Sequence, residues 1–185
     1  MLHNDRWLFP YHEEPRTAGA HFLPKPLMRR AVWAQFASHA DEQTEKHKAL
    51  VDSGCDHILA ADWLAHSIGV TPDADREMSV RIGGATRSIR FAEVTIRLFG
   101  AGPSDLAPAD GDSLIEWRAD VGFWSNWGDP PWTMILGQCG FFDQFTIAMS
   151  RHAQCLAVLD ERYFDENFGS LPQTSGRESR TRFTI

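Results

Sequence analysis

The sequence predicts a mainly β, single-domain protein, a β-barrel or sandwich-like fold that contains a helix. Three observations favour this fold class: short runs that alternate apolar and polar residues, turn residues between them, and a chain of 185 residues. That length corresponds to about 1.2 domains of ~150 residues each. Hydrophobic residues make up 43% and charged residues 23%, a composition typical of a globular domain with one core. The length excludes a two-lobed enzyme that needs two full domains in one chain.

Residues 1–25 are expected to form an irregular N-terminal arm. They carry Trp7, Phe9, Tyr11 and Phe22 among charges and prolines. A free tail rarely holds so many aromatic side chains, so the arm should pack on the domain. We assign 26–169 to the folded domain and the polar residues 170–185 to a disordered tail.

Within the domain, alternation and turn residues place the strands in order. The expected strands are 27–36, 48–51, 79–82, 88–98, 115–123, 145–149 and 155–159, and 134–137 is a short apolar run that ends in glycine. The glycine pair 83–84 indicates a hairpin between 79–82 and 88–98, and the last two strands are expected to pair around 151–153. Helical spacing over 60–68 predicts a helix that ends at Gly69. The apolar positions change register between Phe91 and Val94, which predicts a bulge near Ala92 or Glu93.

Charge and cysteine content limit the partners. The net charge of −7 opposes binding to nucleic acid, and no apolar run approaches the ~20 residues of a membrane helix. The first residues lack the features of a signal peptide, and three cysteines without close pairing indicate reduced thiols, so we expect a cytoplasmic protein. The eight histidines form no zinc-site spacing, and phosphate-loop and nucleotide motifs are lacking, so neither a metal nor a cofactor is expected.

The most informative motif is Asp52-Ser53-Gly54, which directly follows the apolar strand 48–51. A carboxylate, a small hydroxyl residue and glycine make a good turn, so the motif can be a strand-ending turn in an unrelated β-barrel. It can equally present a catalytic carboxylate on a fixed loop. These two interpretations stay open on the motif alone.

A second segment, Ile135-Leu136-Gly137, ends 85 residues after Asp52. Together the two segments resemble those of retropepsin-like (retroviral-type) aspartic proteases, over about residues 26–160. In that family an apolar strand enters the Asp-Ser/Thr-Gly triplet, a glycine-bearing flap hairpin follows, and a hydrophobic-hydrophobic-Gly segment closes the catalytic loop from behind. The resemblance implies an acid-protease-like closed β-barrel with one or two short helices.

The resemblance also implies roles for individual residues. By position, the catalytic residues are Asp52, Ser53 and Gly54, the substrate-binding residues are Asp56, Gly83 and Gly84, and the structural closing loop is Ile135, Leu136 and Gly137. Phe141 and Phe142 would lie in the short helical turn that follows.

The chain departs from the family pattern at four places. Cys55 replaces the usual alanine, and Cys139 lies beside the closing segment. Gln138 stands where the viral enzymes carry an arginine, so an ion pair with Asp56 cannot form. The stretch between the motifs is longer than in the viral enzymes, with 100–112 as the expected insertion.

The implied function is a homodimeric aspartic endopeptidase that hydrolyses peptide bonds in a peptide or protein substrate. Two carboxylates that share one proton can supply both a base and an acid. This chain has a single Asp-Ser/Thr-Gly triplet, so a symmetric homodimer would place Asp52 opposite its copy. The alternative is a catalytically inactive retropepsin-like module for dimerisation or peptide binding.

Aromatic residues crowd the region before the closing segment. They are Trp117, Phe123, Trp124, Trp127 and Trp132. One interpretation is barrel core together with a loop or dimer platform. The other is that the three tryptophans after Phe123 line an apolar peptide cleft.

Overall fold

The computed structural model describes residues 6–14, 27–82, 84–102, 107–128 and 131–160, together with Tyr163 and Glu166. These residues form twelve strands and one helix. The elements are β1 (Arg6–Pro10), β2 (His12–Glu14), β3 (Leu27–Arg29), β4 (Ala31–Ala37), β5 (His47–Val51), β6 (Ile58–Ala61), α1 (Asp62–Ser67), β7 (Glu77–Ile82), β8 (Ala85–Phe99), β9 (Ile115–Trp124), β10 (Met134–Leu136), β11 (Thr146–Ser150) and β12 (Cys155–Leu159).

Six strands close into a β-barrel, which confirms the predicted fold class. Their order is β4-β5-β10-β6-β9-β8, and β4 also pairs with β8, for example at Phe36 and Ile96, so the sheet closes on itself. β7 extends the sheet as the first strand of a hairpin with β8. Closure leaves the barrel without free edges among these six strands.

The barrel interior is filled by alternate residues of its strands, as the period of two requires. In β9 the side chains of Val121 and Phe123 are buried, whereas Glu116, Arg118 and Asp120 are exposed. The same alternation in the other strands builds one hydrophobic core. Burial of this apolar surface is the main stabilising contribution to the fold.

The short strand β10 lies between β5 and β6. It runs parallel to β5, with Ile135 opposite Leu50, and antiparallel to β6, with Ile135 opposite Leu59. The loop 52–57, which joins β5 to β6, therefore wraps around the end of β10. This insertion brings the two sequence motifs to one end of three neighbouring strands.

The N-terminal segment is not irregular where it is described. β1 pairs antiparallel with β12 in a three-stranded sheet with β11, and β2 pairs with β3. Phe9 and Tyr11 are buried in the core, so this segment packs on the domain through its aromatic side chains. The polar tail 170–185 lies outside the described residues, and the boundaries at 25/26 and 169/170 stay predictions.

Two local predictions were wrong. The expected helix 60–68 begins only at Asp62, because Ile58–Ala61 is a strand whose residues are all buried between β10 and β9. No bulge interrupts β8 at Ala92 or Glu93, since its pairing with β9 is continuous from Arg90 to Leu98. The apolar pattern changes register there because the apolar side chains change from one face of β8 to the other. Among the described residues, no helical segment has the length and apolarity of a membrane span.

Candidate active site

Asp52 lies on a tight turn at the end of β5. Its backbone N–H donates to Leu136 O at 3.1 Å, and its own carbonyl accepts from the Cys55 N–H at 3.2 Å. The Gly54 N–H donates to Asp52 Oδ1 at 2.9 Å, which orients the carboxylate. Asp52 is half-buried, and no cation pairs with its carboxylate within the described residues. The turn therefore presents a fixed carboxylate that solvent or a ligand can reach.

The closing segment supports this turn from behind. A Cβ atom on Gly137 would lie 2.6 Å from Cys55 O and closer still to His57 O, so only glycine fits. The Gln138 backbone N–H donates to Cys55 O at 2.8 Å, and its side-chain Nε2 donates to Ser53 O at 2.7 Å. Ile135 and Leu136 hold this segment in β10. The structure thus brings 52–54 and 135–137 into direct contact.

The departure at Gln138 has a local consequence for the loop that carries Asp56. Asp56 is exposed, and none of the described cations forms an ion pair with its carboxylate. Its backbone carbonyl accepts from the Cys139 N–H at 2.8 Å. The Gln138 side chain binds the Ser53 carbonyl instead of a carboxylate, so an amide replaces the ion pair as a brace for this loop.

The surroundings of the Cys55 side chain favour its neutral thiol form. Its Sγ donates to His57 O at 3.2 Å. Burial raises the pKa of the Cys55 thiol, and the nearby charges of Asp52 and Asp56 act in the same direction, although the hydrogen bond to His57 opposes them. The thiol form is therefore favoured, and the thiol adds no charge beside Asp52.

An apolar row crosses the outer face of the barrel next to this turn. Register places Leu50, Ile135, Leu59, Gly122 and Phe91 side by side on β5, β10, β6, β9 and β8. Asp52 follows Leu50 by two residues, directly after β5 ends at Val51, so the row ends next to the Asp52 turn. We call these five residues the outer row. It provides an apolar floor beside the Asp52 turn, in which Leu50, Ile135 and Phe91 are half-buried and Leu59 and Gly122 are buried under neighbouring side chains.

Gly122 has no side chain, so neighbouring side chains pack directly on this part of the outer row. A Cβ on Gly122 would lie 2.9 Å from Ile89 Cδ1 and 2.9 Å from Leu59 Cδ2. Ile89 and Leu59 therefore pack over the bare backbone of β9, and the base of the β7–β8 hairpin is fixed on the outer row. This contact explains why Ile89 is buried although it points away from the barrel interior.

The predicted flap is a real hairpin. β7 and β8 pair from Glu77–Arg90 to Ile82–Ala85 around a two-residue turn, and Gly84 has a φ of +82° that favours glycine. Gly83 lies outside the described residues. The sequence places both glycines at the hairpin tip, and the described contacts do not connect Gly84 with Asp52.

The aromatic residues divide between the two interpretations. Phe123 is buried in the core, and Trp117 packs on Phe141 and Phe145 while its Nε1 donates to Gly140 O at 2.8 Å. The residues 141–145 form a turn in which the Phe145 N–H donates to Phe141 O at 3.0 Å. Both observations support the core interpretation for this part of the group.

The remaining tryptophans form a separate cluster beyond the outer row. Trp124 follows Gly122 by two residues and shares its face of β9. Its ring lies 5.6 Å from that of Trp127, whose Nε1 donates to Trp132 O at 2.9 Å. The Arg87 guanidinium lies over the Trp124 ring at 5.3 Å.

Sequence reasoning missed Gly122, Arg87 and the contact made by Gln138. A glycine inside the clearest strand of the chain is a signal for close packing, and it was available in the sequence. Metal chemistry gains no candidate here, because the described residues contain no group of three or more His, Cys, Asp or Glu side chains that could hold an ion.

Comparisons with known proteins add a likeness of fold. No family model matches the chain. No curated protein matches it either. Among solved structures it is similar to the crystal structure of a retropepsin-like aspartic protease from Rickettsia conorii, with 14% sequence identity and a TM-score of 0.40, over 82% of this chain and 97% of that one. A likeness at this level concerns the fold and assigns no residue a role.

Proposed function

We propose that the protein is a homodimeric aspartic endopeptidase in which Asp52 and Asp52 of the partner subunit activate a water molecule. The observation that carries the proposal is the braced turn. Asp52 is oriented by the Gly54 N–H, held to Leu136 by its backbone, and placed at the start of an apolar floor. A carboxylate fixed in this way beside an apolar surface suits the binding and hydrolysis of a peptide.

The chemistry follows from two neighbouring carboxylates. When two such groups lie about 3 Å apart they share one proton, because both cannot ionise at that distance. The ionised carboxylate takes a proton from water as the water oxygen attacks the carbonyl carbon of the scissile peptide, and the protonated carboxylate donates its proton to the carbonyl oxygen. The C–N bond of the resulting tetrahedral diol then breaks: the amine takes the proton held by the first carboxylate, and a diol hydroxyl returns a proton to the second as the carboxylic acid forms. The dyad titrates as a unit.

The proposed dimer follows from the number of Asp-Ser/Thr-Gly triplets in the chain. The chain has one Asp-Ser/Thr-Gly triplet, so one protomer supplies one carboxylate. Ser53 is exposed, and its hydroxyl makes no hydrogen bond to any described residue, so it is available to a second copy. A two-fold axis beside this turn would complete the dyad with the same surface from each protomer.

Two measurements test the proposal together. Cleavage of a peptide library is followed by mass spectrometry from pH 4 to 7.5 for the wild type, for Asp52→Asn and for Asp110→Asn. Asp110 is an exposed carboxylate outside the site, so its variant controls for the loss of one charge. We expect Asp52→Asn to lose at least a thousandfold in kcat/KM and Asp110→Asn to retain activity.

The oligomeric state is measured on the same samples by light scattering. A dimer of about twice 20.9 kDa is expected. Cleavage by Asp52→Asn at the wild-type rate, or activity from a strict monomer, would overturn the proposal. A dimer that binds peptides and cleaves none would instead favour the alternative, an inactive dimerisation or peptide-binding module.

A further inference from the structure

The two faces of the β7–β8 hairpin differ in chemistry. Directly opposed residues share a face, so the pairing Val80–Arg87 and Met78–Ile89 defines one face, and Arg81–Thr86 defines the other. The second face is polar and exposed, with Glu77, Ser79, Arg81, Thr86, Ser88 and Arg90. The first face carries partly or fully buried apolar side chains, namely Met78, Val80, Ala85 and Ile89. Arg87 is the charged exception among the described side chains of that apolar face.

Arg87 is also short of partners. Its Nε atom is buried and has no hydrogen-bond partner within the described residues, and none of the described ion pairs includes its guanidinium. On the polar face, by contrast, Arg90 forms an ion pair with Glu77 at 2.8 Å. A buried donor without an acceptor is costly, and a ligand that supplies the acceptor would remove that cost.

The position of Arg87 connects it with the candidate active site. It lies two residues before Ile89, on the face of β8 that packs over Gly122 and the outer row. Its guanidinium rests on Trp124, which extends the same face of β9 by one step. The apolar floor therefore extends from the Asp52 turn to the Arg87 guanidinium on the Trp124 ring, a cation that forms no ion pair with a described residue.

We propose that Arg87, supported by Trp124, binds a carboxylate group of the substrate peptide. The proposal rests on the proposed function and adds a substrate class to it, peptides that carry an acidic group at a distance from the scissile bond. A guanidinium donates to a carboxylate through two parallel hydrogen bonds, and a flat aromatic ring holds its plane for that contact. The buried Nε would then gain its missing acceptor.

The register of the sheet gives the distance. From Asp52 to Trp124 the path crosses three strand spacings of about 4.8 Å and four residues along the strands at ~3.3 Å each. These two perpendicular displacements together give a distance of about 20 Å. An extended peptide covers ~3.3 Å per residue, and the side chains of Arg87 and of the acidic residue shorten the path. We therefore place the acidic residue about three to five positions from the scissile bond. The carboxylate can belong to an Asp or Glu side chain or to the end of the peptide.

The test compares paired libraries of decapeptides with an apolar central dipeptide. Each pair has Glu or Gln at one scanned position, and each is made with a free and with an amidated C-terminus. Cleavage is measured for the wild type, Arg87→Gln, Arg87→Lys and Arg81→Gln. Arg81 is the matched control, because it lies exposed on the polar face of the same hairpin. Binding of the same peptides, fluorescently labelled, to Asp52→Asn with and without Arg87→Gln is measured by anisotropy.

We expect the wild type to prefer Glu over Gln by about tenfold or more at one or two positions. Arg87→Gln should reduce that ratio to within about twofold, Arg87→Lys should retain part of it, and Arg81→Gln should leave it unchanged. If the peptides with a free C-terminus are cleaved faster than the amidated ones whether they carry Glu or Gln, and Arg87→Gln removes that difference, the carboxylate is the peptide terminus. A wild type that distinguishes neither Glu from Gln nor the free from the amidated terminus, or an equal loss in Arg81→Gln, overturns the inference.

The two proposals fail in different ways. If peptides are cleaved in an Asp52-dependent manner without acidic preference, the peptidase stands and the role of Arg87 is wrong. If no peptide is cleaved but Asp52→Asn binds acidic peptides in an Arg87-dependent manner, the carboxylate site stands and the catalytic proposal is wrong.

Discussion

Replacing Gly137 with alanine is the sharpest test of how the closing segment supports the candidate site. A Cβ at this position would lie 2.6 Å from Cys55 O and even nearer to His57 O. Both atoms belong to the backbone, so neither can rotate away as the end of a flexible side chain would. The loop 52–57 has to move away from β10 for the methyl group to fit.

The cost can be worked from the contacts that this movement disturbs. Overpacking by one methyl group costs about 1–3 kcal/mol in a well-packed site. The displaced loop also loosens two hydrogen bonds, Asp52 N–H to Leu136 O and Gln138 N–H to Cys55 O, at about 1 kcal/mol each. We therefore expect Gly137→Ala to lower the free energy of unfolding by about 3–5 kcal/mol. At 2–4 °C per kcal/mol, the Tm should fall by about 10 °C.

Thermal and urea denaturation followed by circular dichroism measure this effect. The matched control is Gly100→Ala, because a Cβ there would have Leu114 Cδ1 at 3.7 Å and Ala109 Cβ at 3.9 Å, which are ordinary contacts. Gly100→Ala should change the Tm by no more than about 2 °C. If Gly137→Ala melts as Gly100→Ala does, the support of the Asp52 turn by β10 is refuted.

Three further variants or treatments probe the neighbourhood of the site. Gln138→Leu removes the 2.7 Å bond to Ser53 O and should lower the free energy of unfolding by about 1 kcal/mol and the peptidase activity at least tenfold; unchanged activity would contradict its positioning role. Burial lowers the pKa of His47, so the unfolded state binds protons more readily below about pH 6.5, and the free energy of unfolding falls as the pH falls. The difference in that free energy between pH 7.5 and pH 5, measured by denaturation, should be smaller in His47→Gln than in the wild type. An equal difference in the two proteins would contradict this. Iodoacetamide at pH 8 should modify exposed Cys139 well before Cys55, because burial raises the pKa of the Cys55 thiol; peptide mapping that shows equal rates would disprove the difference.

Local patterns predicted much of the fold. The strand 115–123 alternates apolar and polar residues, and it is β9 almost to the residue. The hairpin of β11 and β12 and the two-residue turn of the flap were also predicted, because each depends on neighbours in sequence. Such signals survive in one sequence because the strand period and the turn chemistry are local.

Long-range pairing left no comparable signal. Helical spacing predicts a helix from residue 60, but residues 60 and 61 belong to β6. All four residues of β6 are buried, and a strand covered on both sides shows no alternation that would reveal it. The pairing of β1 with β12 joins Phe9 to Leu156, almost the whole chain apart. The closure of β4 on β8 joins Trp33 to Phe99. No local pattern encodes which distant strand becomes the partner.

The candidate site shows the same division. The turn chemistry of 52–54 and the glycine at 137 were visible because each needs particular residues in a particular order. The role of Arg87 was not visible in the sequence, because Arg81 and Arg87 are the same residue type in one predicted hairpin. Only the pairing of β7 with β8, and the place of Trp124 on β9, separate an exposed cation from one that lies on the apolar face.

The symmetry of the proposed dimer predicts on which sides of the scissile bond the acidic preference should be found. The two protomers would share one dyad, so the dimer would have one site that contains two copies of Arg87, one on each side of the two-fold axis. A peptide bound across that axis meets the first cation before the scissile bond and the second after it, at similar distances. The decapeptide scan should therefore show two positions of acidic preference, one on each side, and Arg87→Gln should weaken both. The peptide itself has a direction, so the two preferences need not be equal. Where one preference is much the weaker, Arg87→Gln should still remove the stronger one; an acidic preference that survives Arg87→Gln on either side would contradict the placement of the two cations.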